Sequence, residues 1–98
     1  MAYEYQFPKW SGKPLDEITI GQQVAKVNFE CAELTEVLLG PNNVKRTSDL
    51  LMEEAFDVIH ACETLLRTIE SMGYDIGASH DKVIEKNRKR GYYGEHSD

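Results

Sequence analysis

The 98-residue sequence has no apolar run near the ~20 residues that a membrane span needs. Its opening decapeptide, MAYEYQFPKW, is aromatic and polar, unlike the apolar centre of a secretion signal. Both absences predict a cytoplasmic protein with no membrane partner. There are only two cysteines, Cys31 and Cys62, with no Cys-x-x-Cys pair and no Cys/His spacing of the metal-binding kind. Both fall on apolar helix faces and are expected to be small buried hydrophobes rather than disulfide partners. Excess positive charge is missing too: the net charge of −6 argues against general nucleic-acid binding. No stretch alternates polar and apolar residues as a half-buried strand does, and no repeat or low-complexity segment occurs.

What is present fits one small globular domain, residues 1–98, with 41% hydrophobic and 29% charged residues. A domain of this length buries only ~60–65% of its unfolded surface, so its core is thin. Pro8, Gly12 and Pro14 mark residues 1–14 as an irregular arm. Helical periodicity then runs from near Leu15–Ile18 to Leu39, with Asp16 the expected cap, and GPNN (40–43) stops it. Ser48-Asp49 signals a second helix from about Asp49 to Met72, closed by Gly73. Ser79 is the expected cap of a short third helix through Arg90, with Gly91 the stop and residues 92–98 an irregular tail. The fold class is therefore all-α: two long antiparallel helices plus a short C-terminal one. A two-helix hairpin cannot cover two broad apolar faces. A homodimer or homotetramer that completes a four-helix-type bundle is expected.

Two carboxylates interrupt the apolar stripes. At ~100° per residue, Val37 lies about 20° and Leu34 about 40° from Glu30, so Glu30 sits inside the stripe. Glu33 is about 60° away, at its edge, and Glu36 lies farther out, toward solvent. On the second helix Ala61 and Leu65 flank Glu54 at about 20°, and Asp57 is about 60° away. The motifs are E-x-x-E at 30/33 and E-x-x-D at 54/57, with twenty residues between Glu33 and Glu54. Buried acids without partners cost several kcal/mol or take up protons. No basic partner is expected in the stripe, since Lys26 lies toward its margin and Arg67 on the polar face. A divalent cation is the simple relief, and oxygen-only ligands favour Mg²⁺, Mn²⁺ or Ca²⁺. The bland reading of each acid alone is a snorkelling surface residue.

Residues 82–90, KVIEKNRKR, hold five of the eleven Lys and Arg. Lys82, Lys86 and Arg90 recur at spacing four, along one helix face. Carboxylates with Mg²⁺ beside such a face make a phosphate-binding site, because Mg²⁺ commonly bridges to substrate phosphates. The bland reading is a solvated helix end whose cations suit the C-terminal dipole.

At these residues the chain resembles the all-α nucleoside triphosphate pyrophosphohydrolases: MazG-type enzymes, dimeric dUTPases and phosphoribosyl-ATP pyrophosphatase. FECAEL followed by MEEAFDVIHACETLL is similar to the family's E-E-x-x-E and E-x-x-D, with Phe29 standing where the family has its first acid. HDKVIEKNRKRGYYG is similar to its K-x-x-x-K-N-x-x-R-G-Y segment. The resemblance spans about residues 20–93. It implies that Glu30, Glu33, Glu54 and Asp57 are metal-binding and catalytic, with Mg²⁺ as cofactor and Mn²⁺ as an alternative. It implies that Lys82, Lys86 and Arg90 contact phosphates, that Asn87 contacts the nucleoside, and that Tyr92 is a weaker substrate contact. The implied reaction converts a nucleoside triphosphate to the monophosphate and pyrophosphate.

Three other readings stand beside this one. Within the family, phosphoribosyl-ATP could be the substrate. A di-iron bundle would want paired Glu-x-x-His motifs. Asp57-x-x-His60 imitates one, but the first helix has no match, and His60 is expected to be exposed. A non-enzymatic oligomerisation or adaptor module would treat the acids as surface residues. The aromatics Tyr3, Tyr5, Phe7 and Trp10 are expected to pack, over a neighbouring subunit, in preference to forming a base pocket.

Overall fold

The computed structural model describes residues 2–40 and 44–94. The expected break at Pro41, Asn42 and Asn43, and residues 95–98 of the expected tail, lie outside the described residues. Among those described, all regular structure is helical: α1 (Ile20–Glu36), α2 (Val44–Glu70) and α3 (Ile76–Lys89), with short 3₁₀ turns at Leu15–Glu17 and Val37–Leu39. Among the described residues no helix is long and apolar enough to cross a membrane.

The elements follow the sequence periodicity, but their starts differ. The first helix is not continuous from Leu15. Ile18 and Thr19 are extended, and Thr19, not Asp16, caps α1. The Thr19 hydroxyl accepts from the Gln22 amide at 3.0 Å, and the Gln22 side chain accepts from the Thr19 amide at 3.3 Å. This reciprocal box satisfies two otherwise orphaned N–H groups. α2 begins at Val44, earlier than Ser48, since residues 44–47 contain neither glycine nor proline to stop it. It ends as expected at Gly73, whose φ of +97° suits a residue without a Cβ. α3 is capped by Asp75, whose carboxylate accepts from the Ala78 amide at 3.0 Å. Ser79 therefore lies inside the helix.

α1 and α2 form an antiparallel hairpin. The Gln23 side-chain amide donates to the Ala61 carbonyl at 2.9 Å, while Glu30 lies beside Glu54 and Asp57. Numbers thus fall along α2 as they rise along α1. The N-terminal arm crosses the other side of α2 and touches α3 through the edge-on Tyr3–His80 pair, with ring centroids 5.0–5.1 Å apart in the Tyr5–Tyr3–His80 chain.

The core is thin. Among the described apolar residues only Ile18, Ala61 and Ile76 are fully buried. Ile20 and Val24 on α1, Leu38 in the turn after it, and Met52, Phe56 and Ile59 on α2 are exposed. Cys31 is exposed rather than packed, and Cys62 is half-buried; both are free thiols. Burial and the nearby Cys31 push the Cys62 thiol up. The accessible surface is 7452 Å², against ~5,700 Å² for a compact monomer of this mass. The radius of gyration is 16.3 Å, against ~13 Å for a compact domain of this length.

Candidate functional site

The hairpin register sets Glu30 of α1 opposite Glu54 and Asp57 of α2. Spacing of three residues puts Glu54 and Asp57 on neighbouring positions of one helix face. One carboxylate oxygen from each of Glu30, Glu54 and Asp57 lies within 4.8 Å of the others. Ligand oxygens around one hard cation, at ~2.0–2.6 Å from it, are separated by at most ~4–5 Å, so the donor set fits Mg²⁺, Mn²⁺ or Ca²⁺. Glu54 is the focus of the cluster: desolvation first, then Asp57, Glu33, Glu30 and Glu53, push its carboxyl above the usual range. A cation bound there would relieve that crowding.

One expectation needs correction at this cluster. A basic partner does exist: Lys26 Nζ lies 2.9 Å from Glu30 Oε1, one helical turn away. Its long stem carries the ammonium inward from the margin of the stripe. Glu33 is half-buried and close enough to act on Glu54, but its carboxylate is not in the mutually close set of three. Glu36 and Glu53 are exposed. Phe29 points off the stripe at 55% exposure, with Lys26 over its ring at 5.2 Å.

Beside the acids opens a cavity of about 470 Å³, within the range of small-molecule sites. Glu30 and Asp57 form one side, Lys26, Gln22 and His60 continue it, and Trp10 and Lys13 of the arm close another. His60 is not an exposed polar-face residue as expected. It is half-buried, stacks on Phe7 with centroids 5.0 Å apart, and its Nε2 is buried without a hydrogen-bond partner.

The arm explains that burial, and it also buries Glu63, a residue that no sequence signal singled out. Glu63 is 2% exposed. Its carboxylate accepts from the Tyr3 hydroxyl at 2.6 Å, from the Gln6 amide at 2.9 and 3.1 Å, and from the Phe7 amide at 2.9 Å. Desolvation raises its pKa, but these three donors and Arg67 outweigh it and hold the carboxyl below the usual range. Arg67 in turn donates to the Phe7 carbonyl at 2.8 Å and lies 3.8 Å over the Tyr5 ring. The aromatic arm therefore packs on its own subunit's α2, while Trp10 stays 46% exposed at the cavity.

The basic segment stands apart from this cavity. Lys82, Lys86 and Arg90 are exposed along α3, and none of them lines it; nor do Asn87 or Tyr92. Asn87 and Tyr92 meet in the turn that ends α3, where the Tyr92 amide donates to the Asn87 carbonyl at 3.1 Å. Gly91 supplies the required positive φ of 78°. Compared with protein-family profiles, curated proteins and solved structures, the chain matches none.

Proposed function

We propose that the chain is a metal-dependent nucleoside triphosphate pyrophosphohydrolase of the MazG-like kind, releasing pyrophosphate from a (d)NTP. The observation that carries this reading is the convergence of Glu30, Glu54 and Asp57 from two helices within 4.8 Å, at the edge of a ligand-sized cavity. Glu30, Glu54 and Asp57 would hold Mg²⁺ or Mn²⁺, with Glu33 at the margin. Such an ion supplies charge neutralisation at the phosphates and a water of lowered pKa. The acids would place the phosphates through such an ion, and one of them would accept the proton of the attacking water. Lys26 tempers their negative charge.

Lys82, Lys86 and Arg90 are assigned to the leaving pyrophosphate, where cations stabilise developing charge. They do not line the cavity of their own subunit, so in this reading a second copy brings them in. The exposed apolar residues of α1 and α2 support a homodimer or homotetramer. Its subunit exposes roughly 1,700 Å² more than a compact monomer does, above the ~800 Å² per partner of a standard interface.

The Lys26–Glu30 ion pair favours a second reading, a non-enzymatic helical oligomerisation module whose acids are neutralised without metal. A pyrophosphate-release screen over all (d)NTPs and phosphoribosyl-ATP, with Mg²⁺ and with Mn²⁺, separates the two. Release from at least one substrate, abolished by Glu54→Gln, supports the enzyme. Silence with every nucleotide leaves the module, and release of orthophosphate instead would rule out cleavage between the α- and β-phosphates.

A further inference from the structure

The arm is irregular, yet it is fastened at one end and shaped at the other. Residues 3–7 are tied to α2 by the Glu63 hydrogen bonds, by Arg67 on the Phe7 carbonyl and by the Phe7–His60 stack. Beyond Pro8 the chain leaves α2 and runs along the cavity, where Trp10 and Lys13 form its wall. The indole is folded back on Gly12: a Cβ built there would lie 2.3 Å from Trp10 Cζ2, too close for any other residue without moving the ring. Trp10 thus lies against Gly12, half exposed, and lines a cavity bordered by carboxylates. From that position the ring can stack on a flat group in the cavity.

We infer that this fastened arm is the discriminating wall of the cavity: Trp10, seated on Gly12, stacks on a flat heteroaromatic group of the ligand, and Glu63 is the positioning residue that holds the wall in place. The inference rests on the nucleotide reading above, and the group is then the base, with the phosphates toward Glu30 and Asp57. Gln22 borders the same space and brings a side-chain amide to it, beside the His60 ring. Base preference resides in the arm and the first turn of α1, not in the acid cluster.

Trp10 is the only tryptophan, so intrinsic indole fluorescence reports on this wall alone. The full chain is titrated with AMP, GMP, CMP, UMP and dTMP in Mg²⁺, with ribose 5-phosphate as the ligand lacking a base. Saturable quenching by at least one monophosphate, and none by ribose 5-phosphate, is expected. Gly12→Val and Glu63→Gln should each weaken that binding roughly tenfold, the scale of one lost base–aromatic stack. Each should raise KM for the triphosphate while leaving kcat and the Mg²⁺-induced rise in melting temperature in place. Gly12→Val keeps the test open if Glu63→Gln fails to fold by circular dichroism.

Pyrophosphate release with no response of Trp10 to any monophosphate would overturn the inference and leave the enzyme reading standing. Quenching without pyrophosphate release would keep the wall and sink the enzyme. Quenching that survives both variants unchanged would show that the arm's position is irrelevant to binding and overturn the inference.

Discussion

Replacing Glu63 by alanine should release the N-terminal arm. The carboxylate is 2% exposed and takes hydrogen bonds from three donors, Tyr3 Oη, Gln6 N and Phe7 N. A hydrogen bond to a charged group contributes ~1.5–3 kcal/mol, so three would suggest ~5–9 kcal/mol. That sum is too large, because the arm lies at the surface and its freed donors can return to water. The loss is capped at the free energy of docking the arm, and ~2–4 kcal/mol is the expected cost. For a chain of this size each kcal/mol lowers Tm by ~4–8 °C, so Glu63→Ala should melt at least ~8 °C below the parent. The assay is thermal unfolding by far-UV circular dichroism, at one fixed protein concentration so that association does not confound it. Tryptic cleavage after Lys9 should accelerate in parallel. A Glu63→Ala protein within ~0.5 kcal/mol of the parent, the range of ordinary surface changes, would refute the claim that this carboxylate fastens the arm.

The same contacts set two pH limits. Glu63 is held below the usual carboxylate range, so its contribution is complete above that range and is lost as pH falls through the lowered value. Tyr3 is pushed up to about 12, first by its hydrogen bond to Glu63, and Tyr5 to about 12, first by burial. Their contribution is complete below the ordinary phenol value of ~10 and disappears between ~10 and 12; tyrosinate absorbance should rise there together with arm cleavage, and ionisation of both at ~10 would contradict the docking. Mg²⁺ should raise the melting temperature of the parent but not of Glu54→Gln, which without metal should be at least as stable because one like charge is gone; equal responses in differential scanning fluorimetry would remove Glu54 from the metal site. Sedimentation at micromolar concentration should find a dimer or tetramer, and Ile59→Glu among the exposed apolar residues of α2 should drive it toward monomer; a monomeric parent would leave those residues without their assigned partner.

The helices and the central acids were legible in the sequence because both depend on local periodicity. Glu30 and Glu54 stand out as charges within apolar stripes, and the antiparallel hairpin brings them together. Glu33 and Asp57 occupy equivalent wheel angles but fare differently, since which edge residue reaches the cluster depends on how the helices cross, and no angle on one helix reports that. Lys26 was misjudged for another reason: a wheel treats side chains as spokes, whereas a lysine stem bends along the helix to reach Glu30. The caps at Thr19 and Asp75 had readable signals, T-x-x-Q and an aspartate before an apolar residue, that lost to nearby polar residues of the same type. Glu63 and His60 were out of reach. Each sits on the polar face of α2 and becomes buried only because a segment more than 50 residues away, itself without periodicity, lies across it.

The Tyr3–Glu63 contact also joins residues 60 positions apart in a 98-residue chain. Closing so long a loop is entropically slow compared with forming the hairpin. The arm can therefore dock only on an α2 that is already formed through Glu63. A chain truncated before residue 63 keeps Glu30, Glu54 and Asp57 but loses the carboxylate that fastens the arm. The wall that Trp10 and Lys13 give the cavity then depends on a residue that lies outside both the wall and the acid cluster.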